Sequence, residues 1–259
     1  MRTDNNWEIT GKRFVAFFDI LGFKDKVMRE PHEKIYNDLA GIQVETTDKL
    51  YDVLGKPSMI NLFGDSDIDV VKFSDTIVVF AKNDSIENFI LFLISARFLF
   101  TSFLKKGFPL KGAIAYGEIS VDKERQLYLG QPIIDAFLLE EDVNYIGVVA
   151  HNSIDRFQLC MENNNKFHPL LRQLLFEAKS PLKSGFITHF NLNWFRQLLV
   201  SDEKINEKTE KEDIKVEIIK GLKEYYLNVS GSPRRYIDNT IEFIDKNKNK
   251  INFSKITLP

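Results

Sequence analysis

Residues 13–23 read RFVAFFDILGF, and the reading of this run decides the fold. Arg13 to Asp19 is apolar on both alternating sides, as expected of a strand covered on both faces and so central in its sheet. The strand ends on a charge at Asp19, and Ile20-Leu21-Gly22-Phe23 turns the chain into a helical stretch that continues past Pro31 to about Leu54. Working outward, Gly64-Asp65-Ser66-Asp67 is a polar turn. Val70 to Phe73 and Ile77 to Ala81 then read as two short strands flanking Ser74-Asp75-Thr76, a hairpin. Ser85 is placed to cap a Phe-rich helix that Gly107-Phe108-Pro109 stops, and Leu110 to Glu118 is the next strand.

The order is therefore β-α-β-β-α-β, the split arrangement of ferredoxin-like and palm domains, which makes the fold class α+β. Beyond it, Gln131 to Glu141 reads as a helix, Tyr145 to Ala150 as a strand, Pro169 to Ala178 as a helix and Gly185 to Phe190 as a strand. The core is expected over about residues 10–195, within a first domain of residues 1–200. Residues 201–259 form a charged linker and a helical C-terminal extension. Ser201 to Asp213 is almost wholly charged or polar with no apolar period. Ile214, Ile218, Leu222 and Tyr225 stand at helical spacing, and a second helix starts at Ser232-Pro233 with Ile237, Ile241 and Ile244 as its stripe.

Composition bounds the function. A chain of 259 residues with 44% hydrophobic and 28% charged residues is globular rather than disordered or fibrous. A formal net charge of −2 argues against a broad nucleic-acid-binding surface. Cys160 is the single cysteine, which excludes an intramolecular disulfide, and the four histidines show no zinc spacing. A reducing, cytoplasmic setting fits. The N-terminus lacks the apolar stretch of a signal peptide. The greasiest run, Phe89 to Leu104, is shorter than a bilayer span and carries Arg97 in its middle, so it is expected as a core helix and not as a membrane segment.

Two aspartates stand out by position. Asp19 closes the central strand and Asp75 lies in the hairpin turn. In this element order strand and hairpin are neighbours, so the two carboxylates converge at one edge of the sheet. An aspartate at either place commonly serves only the turn. Together, with little basic sequence beside them, they suit a divalent cation, Mg²⁺ or Mn²⁺. The amides of Leu21, Gly22 and Phe23 at a helix entrance suit phosphate oxygens. Paired carboxylates, hard cations and a phosphate-cradling turn are the parts of two-metal phosphoryl or nucleotidyl transfer.

Phe18-Asp19-Ile20-Leu21-Gly22-Phe23 resembles the FxDIxGF segment of class III nucleotidyl cyclases, and Lys72-Phe73-Ser74-Asp75 resembles that family's second metal segment. Lys111 to Gly117 resembles its RxGIxxG strand, and Tyr128-Leu129-Gly130 through Ala136 its YxGxxVNxA helix entry. The likeness covers about residues 13–141. The forms FDILGF, FSDT, KGAIAYGE and GQPIIDAFLLEE, with the run His189 to Phe195, are similar to the pyrimidine nucleotide cyclases of bacterial antiphage (Pycsar) signalling. The resemblance implies a homodimer that cyclises UTP or CTP. It implies two Mn²⁺ or Mg²⁺ ions held by Asp19, Asp75 and the Ile20 carbonyl, with Phe18, Leu21, Gly22 and Phe23 about the triphosphate. It also implies a separate effector protein activated by the cyclic nucleotide. UTP is the first choice of substrate and CTP the second.

The chain departs from that family at two places. Where an Asn and, four residues on, a transition-state Arg are expected, it has Ile134 and Leu138, neither of which donates a hydrogen bond. Either another cation among Lys111, Arg97, Arg125 and Arg156 serves, or the protein is a silent nucleotide-binding homologue. A palm-type nucleotidyltransferase is a further alternative, although it asks for a basic template groove that the charge balance does not advertise. His151, after a strand, could act as a base but is more simply a surface or capping residue.

Overall fold

The computed structural model describes residues 7–54, 63–161, 168–195, 219–227 and 229–251. The charged stretch 201–213 and the first residues of the expected tail helix, 214–218, lie outside them. The architecture is α+β. An eight-stranded sheet runs in the order β2-β3-β1-β4-β6-β8-β7, with β5 pairing off β4. The strands are β1 (Thr10–Ile20), β2 (Ile68–Phe73), β3 (Thr76–Ala81), β4 (Leu110–Asp122), β5 (Leu127–Gly130), β6 (Val148–Ala150), β7 (Leu175–Leu182) and β8 (Gly185–Leu192). The helices are α1 (Phe23–Arg29), α2 (His32–Leu54), α3 (Ile86–Lys105), α4 (Gln131–Asp142), α5 (Asn152–Met161), α6 (His168–Leu174) and α7 (Ser232–Asn247). The segment β2-β3-β1-β4 is the antiparallel order expected of β-α-β-β-α-β, with β1 central in it. Beyond β4, the parallel pairing with β6 extends the sheet to β8 and β7.

Three elements differ from the sequence reading. The first helical stretch is broken into α1 and α2, because Glu30 before Pro31 is extended (φ −106°, ψ 151°), as the residue before a proline prefers. The helix expected at Pro169 to Ala178 ends at Leu174, and Leu175 opens β7. The short β5 occupies what was read as the lead-in to a helix, folding back on the end of β4.

Alternation along β1 separates two faces. Phe14, Ala16, Phe18 and Ile20 point into the main core, where Phe14 stacks on Phe89 at 4.3 Å between ring centroids and meets Phe157 edge-on at 4.8 Å. Helix α3 is buried around its whole circumference in that core, which is why its sequence has no polar face. At 20 residues it is long and apolar enough to cross a membrane by length and composition, but most of it is enclosed by the fold. The C-terminal helix joins the same core: Phe243 packs on Tyr145 at 4.8 Å, and the Thr240 hydroxyl accepts the Ile146 N–H at 2.8 Å. On the other face, Val15, Phe80, Ile119 and Val121 form a small separate cluster. This is the face that carries Asp19.

Candidate functional site

The site is built on a row of cross-strand neighbours. Phe73 of β2 pairs with Thr76 of β3, Thr76 with Asp19 of β1, and Asp19 with Lys111 of β4. Residues opposite one another share a face, so all four stand on the α4 side of the sheet. The turn joining β2 to β3 consists of Ser74 and Asp75, with Ser74 in the left-handed region at φ 57°. That tight reversal returns Asp75 to the end of β1, where the Ile20 N–H donates to the Asp75 carbonyl at 2.9 Å. The N–H and C=O of one strand residue point the same way, so the Ile20 carbonyl faces the Asp75 side as well. The structure thus brings Asp19, Ile20 and Asp75 together at one sheet edge.

The two carboxylates are electrostatically coupled to each other, and Asp19 also feels the charges of two lysines. Asp19 is half-buried, and its carboxyl is held above the ordinary range, first by burial and also by the charge of Asp75; Lys111 and Lys183 oppose the rise. Among the described residues neither Asp19 nor Asp75 has a hydrogen-bond or ion-pair partner on its side chain. Unpartnered carboxylate oxygens and a carbonyl at one edge are a hard-oxygen donor set, and this set fits Mg²⁺ or Mn²⁺. Among the described residues no cluster of three or more His, Cys, Asp or Glu is placed to hold a metal, so the remaining positions would fall to water and substrate oxygens.

The turn after β1 is only partly as expected. Gly22 caps α1 with φ 73°, and a Cβ there would meet nothing within 4 Å, so glycine is required by the left-handed backbone and not by crowding. The Leu21 N–H already donates to the Pro109 carbonyl at 2.9 Å, which removes one of the three amides assigned to phosphate. Phe18 is corrected outright. It is fully buried in the main core, on the face opposite Asp19, so it cannot touch a nucleotide held by that carboxylate.

The structure also sorts the cations. Arg97 is buried within α3, Arg125 binds Asp122 at 2.7 Å at the far end of β4, and Arg156 is exposed on α5. Lys111 lies directly opposite Asp19, and its ammonium is paired with Glu140 of α4 at 2.7 Å. Burial pushes the Glu140 carboxyl up, the Lys111 ammonium opposes that, and Asp19 adds to it. Sequence reasoning missed Lys183. It sits exposed on the β7–β8 turn, close enough to lower the Asp19 pKa. That turn is fixed to the end of α4, since the Lys183 N–H donates to the Asp142 carbonyl at 2.7 Å and the Ser184 N–H to Asp142 Oδ1 at 3.0 Å. No sequence signal pointed to it, because its hairpin partner β7 read as helix.

Ile134 and Leu138 lie on the outer side of α4, 51% and 57% exposed, and Phe73 at the hairpin is 81% exposed. His151 has the local role expected: its Nδ1 pairs with Ser153 Oγ at 3.1 Å, at the start of α5, with Asp135 at 3.9 Å.

The chain matches no protein-family model and no curated protein sequence. Among solved structures it is similar to a bacterial light-regulated adenylyl cyclase, at 12% identity and TM-score 0.44, over 71% of this chain and 91% of that one. It is also similar to the catalytic core of a rhodopsin-guanylyl cyclase with converted specificity, solved with ATPαS, at 11% identity and TM-score 0.47, over 72% and 97% of the two chains.

Proposed function

We propose that the protein is a nucleotide cyclase acting on a pyrimidine nucleoside triphosphate, UTP before CTP. The observation that carries this reading is the meeting of Asp19, Asp75 and the Ile20 carbonyl at the open end of β1. In the reaction the ribose 3′-oxygen bonds to the α-phosphorus, the bond to the pyrophosphate leaving group breaks, and the 3′-hydroxyl proton is lost to water. Asp19, Asp75 and the Ile20 carbonyl would hold two divalent cations, Mn²⁺ or Mg²⁺. Bound there, these ions lower the pKa of the 3′-hydroxyl and screen the charge of the phosphates. The Gly22 and Phe23 amides and the Lys183 ammonium would supply donors to the phosphate oxygens. Lys183 thereby supplies a positive charge that Leu138 cannot.

The exposed apolar residues Phe73, Ile134 and Leu138 on the site's own face support a homodimer. The segments FDILGF, FSDT, KGAIAYGE and GQPIIDAFLLEE support UTP or CTP, and with it a cytoplasmic antiphage role in which the cyclic product activates a separate effector. The exposed, donor-free Ile134 and Leu138 favour one second reading, a silent homologue that binds nucleotide without turning it over.

The test incubates purified protein with Mn²⁺ and each of the four ribonucleoside triphosphates in turn, with Asp19→Ala and Asp75→Ala beside it. The expected result is one cyclic pyrimidine monophosphate by mass, absent in both variants. No turnover of any triphosphate by folded protein gives the silent homologue. Turnover surviving in Asp19→Ala overturns the site.

A further inference from the structure

Lys111 stands directly across the β1–β4 ladder from Asp19. Opposite charges at facing positions, with Cβ atoms about 5 Å apart, ordinarily pair with each other. Here they do not. The Lys111 ammonium is taken up by Glu140 in two ways: as an ion pair with the side-chain Oε1 at 2.7 Å and as a hydrogen bond to the Glu140 backbone carbonyl at 3.1 Å. Both side chains are almost fully enclosed, while Asp19 keeps its carboxylate unpaired. Burying an ion pair is a poor way to gain stability, since a well-packed apolar pair of similar volume commonly does as well or better. The arrangement therefore calls for a reason beyond holding α4 to the sheet.

We propose that Glu140 is a positioning residue whose task is to draw Lys111 away from Asp19, leaving both Asp19 oxygens open to a divalent cation. The last turn of α4 is suited to this because it is anchored independently. Two residues beyond Glu140, Asp142 grips the β7–β8 turn through Lys183 and Ser184. The helix end that carries this carboxylate is thus held by a contact that does not involve Lys111. Without Glu140, the shortest escape for a buried ammonium is the Asp19 carboxylate across the ladder. The pair so formed would close the site to metal. This inference rests on the reading of Asp19 as a metal ligand.

The experiment measures Mn²⁺ binding to the full chain without nucleotide, by the electron paramagnetic resonance signal of the free aquo ion. Wild type, Asp19→Asn, Glu140→Gln, Lys111→Met and the double variant Lys111→Met/Glu140→Gln are compared, with near-ultraviolet circular dichroism as the check on folding. Glu140→Gln is expected to weaken Mn²⁺ binding by about tenfold or more, by adding an unbalanced positive charge at the site. The double variant is expected to return to within about threefold of wild type, since its uncharged pair leaves Asp19 open again. A structural pair would also lose and regain its packing together, so the near-ultraviolet spectrum separates the two roles: loss and rescue of Mn²⁺ binding with the spectrum unchanged in every variant supports positioning, and loss of binding that tracks a changed spectrum overturns it. Wild-type affinity in folded Glu140→Gln overturns the proposal, as does a double variant that stays as weak as the single. Should Glu140→Gln fail to fold, Lys111→Met decides: binding at least as tight as wild type supports the role, and weaker binding overturns it. Wild-type protein that binds no Mn²⁺, or binding that Asp19→Asn leaves intact, takes down the Asp19 reading and this inference with it. Loss in Asp19→Asn with no change in Glu140→Gln takes down this inference alone.

Discussion

Strand β1 carries two different kinds of surface one residue apart. Phe14, Ala16, Phe18 and Ile20 face a continuous aromatic core under α3, whereas Val15, Phe17 and Asp19 face a thin apolar cluster, a buried ion pair and open surface. The first face is finished: its rings meet one another at centroid distances such as 4.3 Å and 5.1 Å about Phe14. The second is unfinished, with unpaired carboxylates at the end of β1, exposed Phe73 at the hairpin, and exposed Ile134 and Leu138 on the helix that covers this face. On the proposed function, stability and chemistry fall on opposite sides of the same backbone. A rigid core on one side is what holds the carboxylates of the other in register.

Substitutions on the two sides should therefore fail in different ways, and the largest effect is expected on the finished side. Phe14→Ala removes the ring around which Phe89, Phe92, Tyr116 and Phe157 pack. Urea unfolding should report a loss of about 3–5 kcal/mol. A loss under about 1 kcal/mol would mean that the core is far looser than its burial implies, and the contrast between the faces would collapse.

An intermediate effect is expected on the outer surface of α4. Leu138→Glu places a charge on an exposed apolar position, so the unfolding free energy of the protomer should change by less than about 0.5 kcal/mol. Self-association measured by analytical ultracentrifugation should weaken by about tenfold or more, as for a charge introduced into an apolar contact. Unchanged association would detach this surface from the proposed dimer and leave its apolar character unexplained.

The unequal legibility of the sequence follows the same division. Strand β1 and the hairpin at Ser74-Asp75 were readable because a run that is apolar on both sides, and a polar turn between two such runs, each have one simple structural meaning. Their adjacency followed from element order alone, which is how Asp19 and Asp75 could be paired in advance. Strand β7 was not readable. Leu170, Leu171, Leu174 and Leu175 keep helical spacing across the helix–strand boundary, and Pro181 argues against a strand. The structure tolerates that proline because β7 is the edge of the sheet, where a missing N–H costs little. With β7 misread, the β7–β8 turn had no position, and Lys183 could not be brought to Asp19. Glu140 was hidden for a related reason. Its partner is 29 residues away on another element, and nothing local marks an acidic residue on a helix as the one that turns inward.

The smallest effect expected is a gain. Burial, with the charge of Asp75 added, holds the Asp19 carboxyl above its ordinary range, so ionised Asp19 is strained in the folded protein without metal. A carboxyl with a raised folded pKa contributes stability while it is protonated, and this is lost as pH rises through the folded pKa. Asp19→Asn, neutral throughout, should therefore unfold at a slightly higher temperature than wild type at neutral pH. The gain should shrink as pH falls through the raised pKa and vanish below the ordinary carboxylate range, where both proteins are uncharged at this position. Asp122 supplies the opposite sign. Its carboxyl is held below the ordinary range, first by the Arg125 backbone N–H and then by the Arg125 guanidinium. Asp122→Asn should lower the unfolding temperature at neutral pH, and that loss should fade as pH falls through the depressed pKa. Thermal scans of both variants from neutral to acid pH check the pair. A destabilised Asp19→Asn protein would mean that Asp19 supports the fold, as Asp122 does, and would remove the physical ground for assigning it to chemistry.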